Sequence, residues 1–394
     1  MKKNTLKEDL LFTTIGVAIL AVCLWDGIGI TFDSHLYLLG SSWVLQHGFT
    51  DIFEVPAFRA KPPVLSVLYA LLQNNISLIK LSNLLILAGM LLVNFRLATI
   101  LISDAFFRKF TKAVLATATP FMLVHSFLWS EPFFIFILSL YFLLSYKTLV
   151  QPRKVLWLYL LTILALMLIG LRHIGIVFAL VGSLYLLLHY KRFSRTQLIP
   201  VALNVVLPPL ALLWWHTNVL AHGGNAGEYN LIHNLDLARN FLLYADVLKV
   251  WLLPPGLPFA AVLSVMAFIF YAAVAVLAIR QSYTSEVRHL VLLFILCSAA
   301  YAGVMLLKGD LLADDNERYL SVIYAPLTML LFYVFSNKAA IMNRKVVWLL
   351  CILWFTYPLV RTLHNVNRWH HDGINNYNPA TTPEKILRDY KNPQ

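Results

Sequence analysis

Long runs of apolar residues, separated by short polar segments, recur along nearly the whole chain. Many of these runs are long enough to cross the roughly 30 Å of bilayer hydrocarbon as an α-helix. The pattern predicts an all-α fold, a polytopic integral membrane helix bundle that forms a single domain over residues 1–394. About eleven spans are expected, at 10–30, 80–101, 113–129, 132–149, 155–171, 174–190, 198–219, 259–280, 289–307, 319–336 and 346–363.

Three polar stretches are longer than a turn between spans requires. Residues 31–79 are predicted to form a first outer loop with two short juxtamembrane helices. Residues 220–258 form a second large outer loop, with a glycine-rich start and an interfacial helix over Leu237–Trp251. Residues 365–394 form a short outer tail, too small for a domain of its own.

Composition agrees with a membrane protein, since 60% of the residues are hydrophobic and only 13% are charged, against about a quarter charged in soluble domains. A formal charge of +12 would suggest a nucleic-acid partner for a soluble chain. Here the cations gather in the short segments that lie on the same side of the membrane as the N-terminus, as the positive-inside rule requires. We therefore expect contact with membrane lipids and not with nucleic acid, a cytoplasmic N-terminus, and an extracytoplasmic C-terminus.

Two residues of the first outer loop have side chains suited to chemistry. Asp33 follows the first apolar run, where an aspartate serves either as a helix N-cap or as a base at the lipid–water boundary. Lys61, before Pro62 and Pro63, lies between apolar segments that would hold it near the headgroup plane. Its ammonium group there either extends to water or binds a lipid phosphate.

Two tight turns on the same side carry further candidates. Glu131 lies at a hairpin tip before Pro132, where it is either a solvated acid or a second carboxylate beside Asp33. Arg172 and His173 lie at the next tip, where the arginine either anchors a helix end or binds phosphate. Each alternative stays open on sequence alone.

A polar cluster from Asp314 to Tyr319 precedes the tenth span. Its acids either lie in a solvated loop or bind a divalent cation through oxygen ligands. No residue is assigned as a metal ligand, no cofactor is certain, and a divalent cation is left open. Arg318, the last residue before the apolar run, is the better candidate for a functional role.

Together these residues place two carboxylates and three cations on one side, at the level of the lipid headgroups. Such a set suits a reaction in which a lipid phosphate leaves. Phosphate departs as a stable anion, so it needs cations and not a general acid, whereas the incoming hydroxyl needs a base. A glycosidase, by contrast, requires a second carboxyl group as its acid.

Four segments resemble motifs of the GT-C superfamily of polyprenyl-phosphate-sugar-dependent glycosyltransferases, closest to the aminoarabinose-transferase, protein O-mannosyltransferase and Rgt-like branches. They are Asp33–Tyr37, Ala60–Leu65, Trp129–Phe134 and Glu317–Leu320, which occur in the order of the family and with suitable topology. Two differences are that Ser34 stands where many members have a second acid, and that the C-terminal tail is short. The first leaves metal dependence open, and the second leaves the acceptor open.

The resemblance implies a membrane glycosyltransferase that moves a sugar from a polyprenyl-phosphate carrier, undecaprenyl by expectation, to a hydroxyl of a glycan, lipid or protein acceptor, with inversion. It implies a location in the cell inner (plasma) membrane. Asp33 would be the catalytic base and Glu131 a supporting acid. The expected substrate-binding residues are Lys61, Arg172, His173, Arg318 and Tyr319. The alternative is a transporter or flippase of lipid-linked sugars, although ionisable residues near the midplane, common in ion-coupled transporters, are not evident.

Overall fold

The computed structural model describes residues 3–152, 154–223, 236–308, 316–338 and 344–371. Within these ranges the chain forms sixteen α-helices and two 3₁₀ turns, Ile52–Glu54 and Tyr190–Arg192, which confirms the predicted all-α class. The helices are α1 (Lys3–Cys23), α2 (Phe32–His47), α3 (Pro56–Ala60), α4 (Val64–Leu71), α5 (Ile76–Leu101), α6 (Ala105–Ala116), α7 (Thr119–His125), α8 (Glu131–Val150), α9 (Val155–Leu171), α10 (Gly175–Leu188), α11 (Arg195–Ala221), α12 (Leu237–Leu252), α13 (Ala260–Ser282), α14 (Arg288–Lys308), α15 (Asn316–Lys338) and α16 (Arg344–His371).

Seven of the described helices are long and apolar enough to cross a membrane, namely α5, α8, α11, α13, α14, α15 and α16. Helices α9 and α10 are apolar but shorter. The predicted continuous span at 113–129 is wrong, because α6 ends at Ala116 and α7 begins at Thr119. Pro120 has no backbone N–H, so it is favoured in the first turn of a new helix and disfavoured inside a continuing one. The count of eleven therefore stays a prediction.

Large apolar side chains cover the outward faces of the bundle. On α13, Val262 and Ile269 are each 58% exposed, and on α16 Leu353 is 57% exposed. In water such a surface would be costly, whereas lipid tails are as apolar as these side chains. With the long apolar helices, this surface is that of a multi-pass membrane protein.

The first outer loop folds into more helices than the two predicted, since α2, a 3₁₀ turn, α3 and α4 all lie within it. Helices α2 and α4 approach closely at Gly40, where an added Cβ would lie 2.7 Å from Ser66 Oγ. A side chain at Gly170, near the end of α9, would likewise lie 2.5 Å from Val64 Cγ2 of α4. These contacts hold the loop against the membrane helices.

A short backbone bridge joins the start of this loop to the segment before α8. Gly29 N–H donates to Ser126 O at 2.8 Å, and Leu128 N–H donates to Gly29 O at 2.9 Å. The bridge places the first turn of α2 beside the first turn of α8, although roughly a hundred residues separate them in sequence.

The other two polar stretches differ in detail from their prediction. Helix α12 occupies the expected place in the second outer loop, but Trp251 at its end is only 4% exposed and donates to Glu317 Oε1 at 3.2 Å. Residues 224–235 lie outside the described residues. Helix α16 continues to His371, so the predicted tail from 365 begins inside a helix, and its remainder also lies outside the described residues.

Candidate active site

Five predicted residues form one continuous network of ion pairs. Lys61 Nζ lies 2.8 Å from Asp33 Oδ1, and Arg318 Nη2 lies 2.7 Å from Asp33 Oδ2. Arg318 also donates from Nε to Glu131 Oε1 at 2.5 Å, and Arg172 pairs with the same glutamate oxygen. The network therefore runs from Lys61 through Asp33, Arg318 and Glu131 to Arg172. We call it the acid–base network.

Asp33 does not cap α2, so that alternative of the sequence analysis is wrong. The helix begins at Phe32 with Thr31 as its N-cap, and the Thr31 backbone N–H donates to Ser34 Oγ at 3.0 Å. Asp33 stands in the first turn, and both of its oxygens face cations. Its position thus leaves the carboxylate directed at the acid–base network.

Lys61 reaches Asp33 because the chain reverses between α2 and α4. The residue ends α3 in extended backbone, and Pro62 and Pro63 then lead into α4. Its side chain is 29% exposed, so the ammonium group is paired and not fully in water. A cation that both meets solvent and holds a carboxylate can change partner when an anion arrives.

Glu131 is fully buried, which excludes the solvated acid of the sequence analysis. It is the first residue of α8, and its carboxylate lies between Arg318 and Arg172. A buried charge is tolerated only when it is paired and hydrogen-bonded. Two guanidinium groups supply that pairing here, so Glu131 holds both arginines in place.

Arg172 and His173 occupy the turn between α9 and α10. Burial alone would lower the pKa of Arg172, but the charge of Glu131 raises it, so the guanidinium stays charged. The Cζ atom of Arg172 lies 5.4 Å from the Tyr319 ring centroid. The His173 ring lies 5.7 Å from that of His216 on α11. Arg172 and Tyr319, both predicted to bind substrate, thus lie together, and His173 packs towards the neighbouring helix.

Aromatic rings cover the central arginine. The guanidinium of Arg318 lies 4.0 Å from the Trp129 ring centroid and 5.5 Å from that of Tyr319. Such cation–π contacts strengthen when solvent is excluded, and the Arg318 side chain is only 4% exposed. Trp129 Nε1 also donates to Thr31 Oγ1 at 2.8 Å. The rings of Trp129 and Tyr319 therefore hold the guanidinium group of Arg318 in place.

Three aromatic residues at or beside the acid–base network were absent from the predicted site, namely Trp129, Tyr37 and Tyr301. Trp129 was signalled only by its place beside Ser130 and Glu131. Tyr37 lies four residues after Asp33, hence on the same helix face, and its hydroxyl donates to Ser130 Oγ at 3.1 Å. Tyr301 donates to Tyr319 O at 2.9 Å, but its position in the middle of an apolar run gives no sequence signal.

The charge state of Asp33 follows from its two cationic neighbours. Burial alone would raise its pKa, but the charges of Lys61 and Arg318, and the hydrogen bonds from both, together hold the pKa well below the usual range. Asp33 is therefore ionised at neutral pH. In this arrangement it is also a weak base, because a cation is paired with each of its two oxygens.

The acidic run before α15 is only partly described. Asp314 and Asp315 lie outside the described residues, while Glu317 Oε2 accepts from Arg361 Nη2 at 2.6 Å. Among the residues that the structure describes, no group of three or more His, Cys, Asp or Glu side chains is placed to hold a metal ion.

Comparison with solved structures shows what this fold is similar to. ArnT from Cupriavidus metallidurans bound to undecaprenyl phosphate aligns with a TM-score of 0.56 at 14% identity, over 85% of this chain and 60% of that one. Its apo state gives 0.52 at 15% identity, over 87% and 61%. The archaeal oligosaccharyltransferase AglB from Archaeoglobus fulgidus, in complex with an inhibitory peptide and a dolichol-phosphate, gives 0.52 at 14% identity, over 93% and 56%.

These likenesses show that the chain shares its fold with ArnT and AglB, so the predicted resemblance to the fold of aminoarabinose transferases is confirmed. The chain spans only about 60% of the length of these proteins. No protein-family model matches the sequence, and no curated protein sequence matches it. At these identities the likeness concerns the fold alone.

Proposed function

We propose that this protein is a membrane glycosyltransferase that moves a sugar from a polyprenyl-phosphate carrier to a hydroxyl acceptor on the extracytoplasmic face, with inversion. The observation that carries the proposal is Arg318, which contacts both carboxylates of the acid–base network at once. This contact joins the partly exposed carboxylate of Asp33 to the buried carboxylate of Glu131.

The balance of charge in the network favours an anionic ligand. Three cations, Lys61, Arg172 and Arg318, face two carboxylates, so one positive charge is unmatched within the network. A phosphodiester donor carries one negative charge. Low-dielectric surroundings strengthen the attraction between them, and guanidinium groups match phosphate geometry.

The proposed reaction is a single displacement at the anomeric carbon of the sugar. The acceptor oxygen forms a bond to this carbon while the bond to the phosphate oxygen breaks, and the configuration inverts. The leaving group is polyprenyl phosphate, which Lys61, Arg172 and Arg318 stabilise as an anion. The acceptor proton passes to Asp33, so atoms and charge balance without an added co-reactant.

Asp33 becomes an effective base when the donor binds. In the structure its two oxygens are held by Lys61 and Arg318, and both contacts depress its pKa. A lipid phosphate that takes over these cations removes the depressing contacts, and burial then raises the pKa. The donor thus prepares the base for the acceptor hydroxyl, while Glu131 continues to orient the two arginines.

The choice of carrier is supported by the proteins that share the fold. One of them is bound to undecaprenyl phosphate and another to a dolichol-phosphate. We propose undecaprenyl phosphate for this chain, in the cell inner membrane, with the N-terminus cytoplasmic. The acceptor, whether glycan, lipid or protein, is left open because the chain covers only part of those proteins.

Release of free lipid phosphate tests the proposal directly. Lipids that copurify with the protein are identified by mass spectrometry, and the matching polyprenyl-phosphate sugar is supplied with hydroxyl acceptors in detergent. An enzyme releases polyprenyl phosphate and forms a glycosylated product. A flippase produces neither, since detergent leaves no two compartments to connect. If the donor binds but no polyprenyl phosphate is released with any acceptor supplied, the transporter alternative is favoured.

A further inference from the structure

A cavity of about 480 Å³, lined mainly by residues with polar or charged groups, lies at the end of the bundle opposite the acid–base network. It is formed where α10 ends, by the 3₁₀ turn Tyr190–Arg192, and where the chain passes from α13 into α14. Helix α10 begins three residues after Arg172 and finishes at this cavity, which places the two sites at opposite ends of one helix. We call it the far cavity.

Two arginines of the far cavity lack an acidic partner among the residues that the structure describes. Arg288 stacks on the Tyr283 ring at 4.7 Å from its centroid, and its Nε atom is buried without a hydrogen-bond partner. Arg192 donates from Nη1 to the Leu149 carbonyl at 3.2 Å. Glu286 also lines the cavity but forms an ion pair with neither arginine. The cavity therefore gathers two guanidinium groups against one carboxylate.

Two imidazoles complete the polar lining. His189 Nδ1 lies 2.8 Å from the Tyr185 carbonyl, so it donates and its Nε2 is the second polar atom of the ring. His289 Nδ1 lies 2.9 Å from the Tyr185 hydroxyl, and His289 is only 9% exposed. The rings lie edge to face with centroids 5.0 Å apart. Tyr185 thus fixes both imidazoles at the cavity wall.

We propose that the far cavity is a binding site for a phosphate group, distinct from the donor site. Guanidinium groups bind phosphate through paired, charge-assisted hydrogen bonds, and the unsatisfied Nε of Arg288 is a buried donor that such a ligand completes. The phosphate belongs either to the headgroup of an anionic membrane lipid or to a soluble phosphate compound. A general excess of basic residues at a membrane face explains exposed cations, but not the convergence of two guanidinium groups on one cavity, one of them with a buried Nε that has no hydrogen-bond partner.

The test uses detergent-purified full-length protein and two probes. Inorganic phosphate is titrated against a chloride control of equal ionic strength, and binding is followed by thermal stability. In parallel, lipid bound per protein is counted by native mass spectrometry after transfer to phosphatidylcholine nanodiscs with or without phosphatidic acid. The variants are Arg192→Gln, Arg288→Gln and both together. Arg280→Gln is the matched control, because it removes the same charge from the end of α13 without lining the cavity.

We expect saturable binding that each single variant weakens by about ten- to a hundredfold, the effect of losing one charge-assisted hydrogen bond to a charged group, and that the double variant weakens further. Saturation by inorganic phosphate identifies a soluble ligand, and retention of phosphatidic acid alone identifies a lipid headgroup. Binding that never saturates, or that Arg280→Gln weakens equally, would show a diffuse basic surface and overturn the proposal.

Folding does not obscure the outcome. Arg192 is exposed, so its single variant carries the test if Arg288→Gln does not fold. The acid–base network is not altered by any of these substitutions, so sugar transfer and far-cavity binding succeed or fail separately.

Discussion

Arg318 and Asp33 are 285 residues apart in sequence, and Arg318 Nη2 donates to Asp33 Oδ2 at 2.7 Å. The same guanidinium donates from Nε to Glu131, 187 residues away. One side chain therefore closes a network that the first outer loop, α8 and α15 each supply in part. Residues that share such a network do not act independently, so substitutions within it are expected to be non-additive.

Asp33→Asn is expected to separate chemistry from binding. Turnover with a polyprenyl-phosphate sugar should fall by about two to four orders of magnitude, the usual contribution of a general base. Affinity for polyprenyl phosphate should be retained or increased, because asparagine holds Lys61 and Arg318 less tightly than a carboxylate does. Initial rates and equilibrium binding in detergent measure the two effects.

Asp51→Asn is the control for this experiment, since Asp51 is exposed in the same loop and its φ of 51° is one that asparagine also adopts. It should leave both quantities unchanged. Full activity of Asp33→Asn would exclude Asp33 as the base. An equal loss of binding and turnover would instead assign it a structural role.

Arg318→Lys is expected to weaken donor binding although the charge is kept. A lysine ammonium cannot reproduce the two-sided contact of Nε with Glu131 and Nη2 with Asp33. The dissociation constant for polyprenyl phosphate should rise about ten- to a hundredfold, the effect of one lost charge-assisted hydrogen bond. Calorimetry or fluorescence binding measures it.

Arg361→Lys provides a matched control, because within the described residues Arg361 pairs with Glu317 and not with a carboxylate of the acid–base network. Its donor affinity should stay close to that of the wild type. Equal affinity in Arg318→Lys and the wild type would contradict a role for the guanidinium geometry.

Glu131→Gln is expected to destabilise the fold. The substitution leaves Arg172 and Arg318 without their shared buried carboxylate, and breaking a buried ion pair on one side costs about 3–5 kcal/mol. Unfolding in detergent by heat or denaturant measures the loss. Glu54→Gln is the control, because the Glu54 side chain is 64% exposed and surface changes usually stay within about 0.5 kcal/mol.

A double-mutant cycle decides whether pairing causes the effect. Arg172→Met added to Glu131→Gln should cost less than the sum of the single changes, since it removes one of the two unpaired charges. Strict additivity would mean that Glu131 stabilises α8 by other contacts.

The sequence contained the members of the acid–base network but not their connections. The motif residues were recognisable because local sequence pattern carries them, and the side of the membrane on which they lie stays a prediction. That Arg318 joins both carboxylates was not, because this depends on how the fold brings the start of α15 to α8 and to the first turn of α2. Local patterns do not encode such tertiary contacts.

Local rules also failed where tertiary contacts compete with them. Aspartate is among the best N-caps, yet Thr31 caps α2 because Asp33 is engaged by two cations and Thr31 by Trp129. The apolar run at 113–129 concealed the break between α6 and α7, although Pro120 was a visible signal. Tyr301, inside an apolar run, could not have been assigned to the site.

The pH dependence of the two rate constants provides the last test, since kcat/KM reports groups of the free enzyme and kcat those of the donor complex. In the free protein the pKa of Asp33 lies below its ordinary value of 3.8. Lowering the pH to about 4 therefore leaves Asp33 ionised, and kcat/KM should show no acid limb from it. In the complex the phosphate holds Lys61 and Arg318, so the pKa of Asp33 rises. As the pH falls, Asp33 is then protonated, and kcat is lost, at a higher pH than the one at which Asp33 is protonated in the free protein. Profiles measured between about pH 4 and 8 should thus show an acid limb in kcat that kcat/KM lacks. Coincident limbs would mean that donor binding does not release Asp33 from its cations.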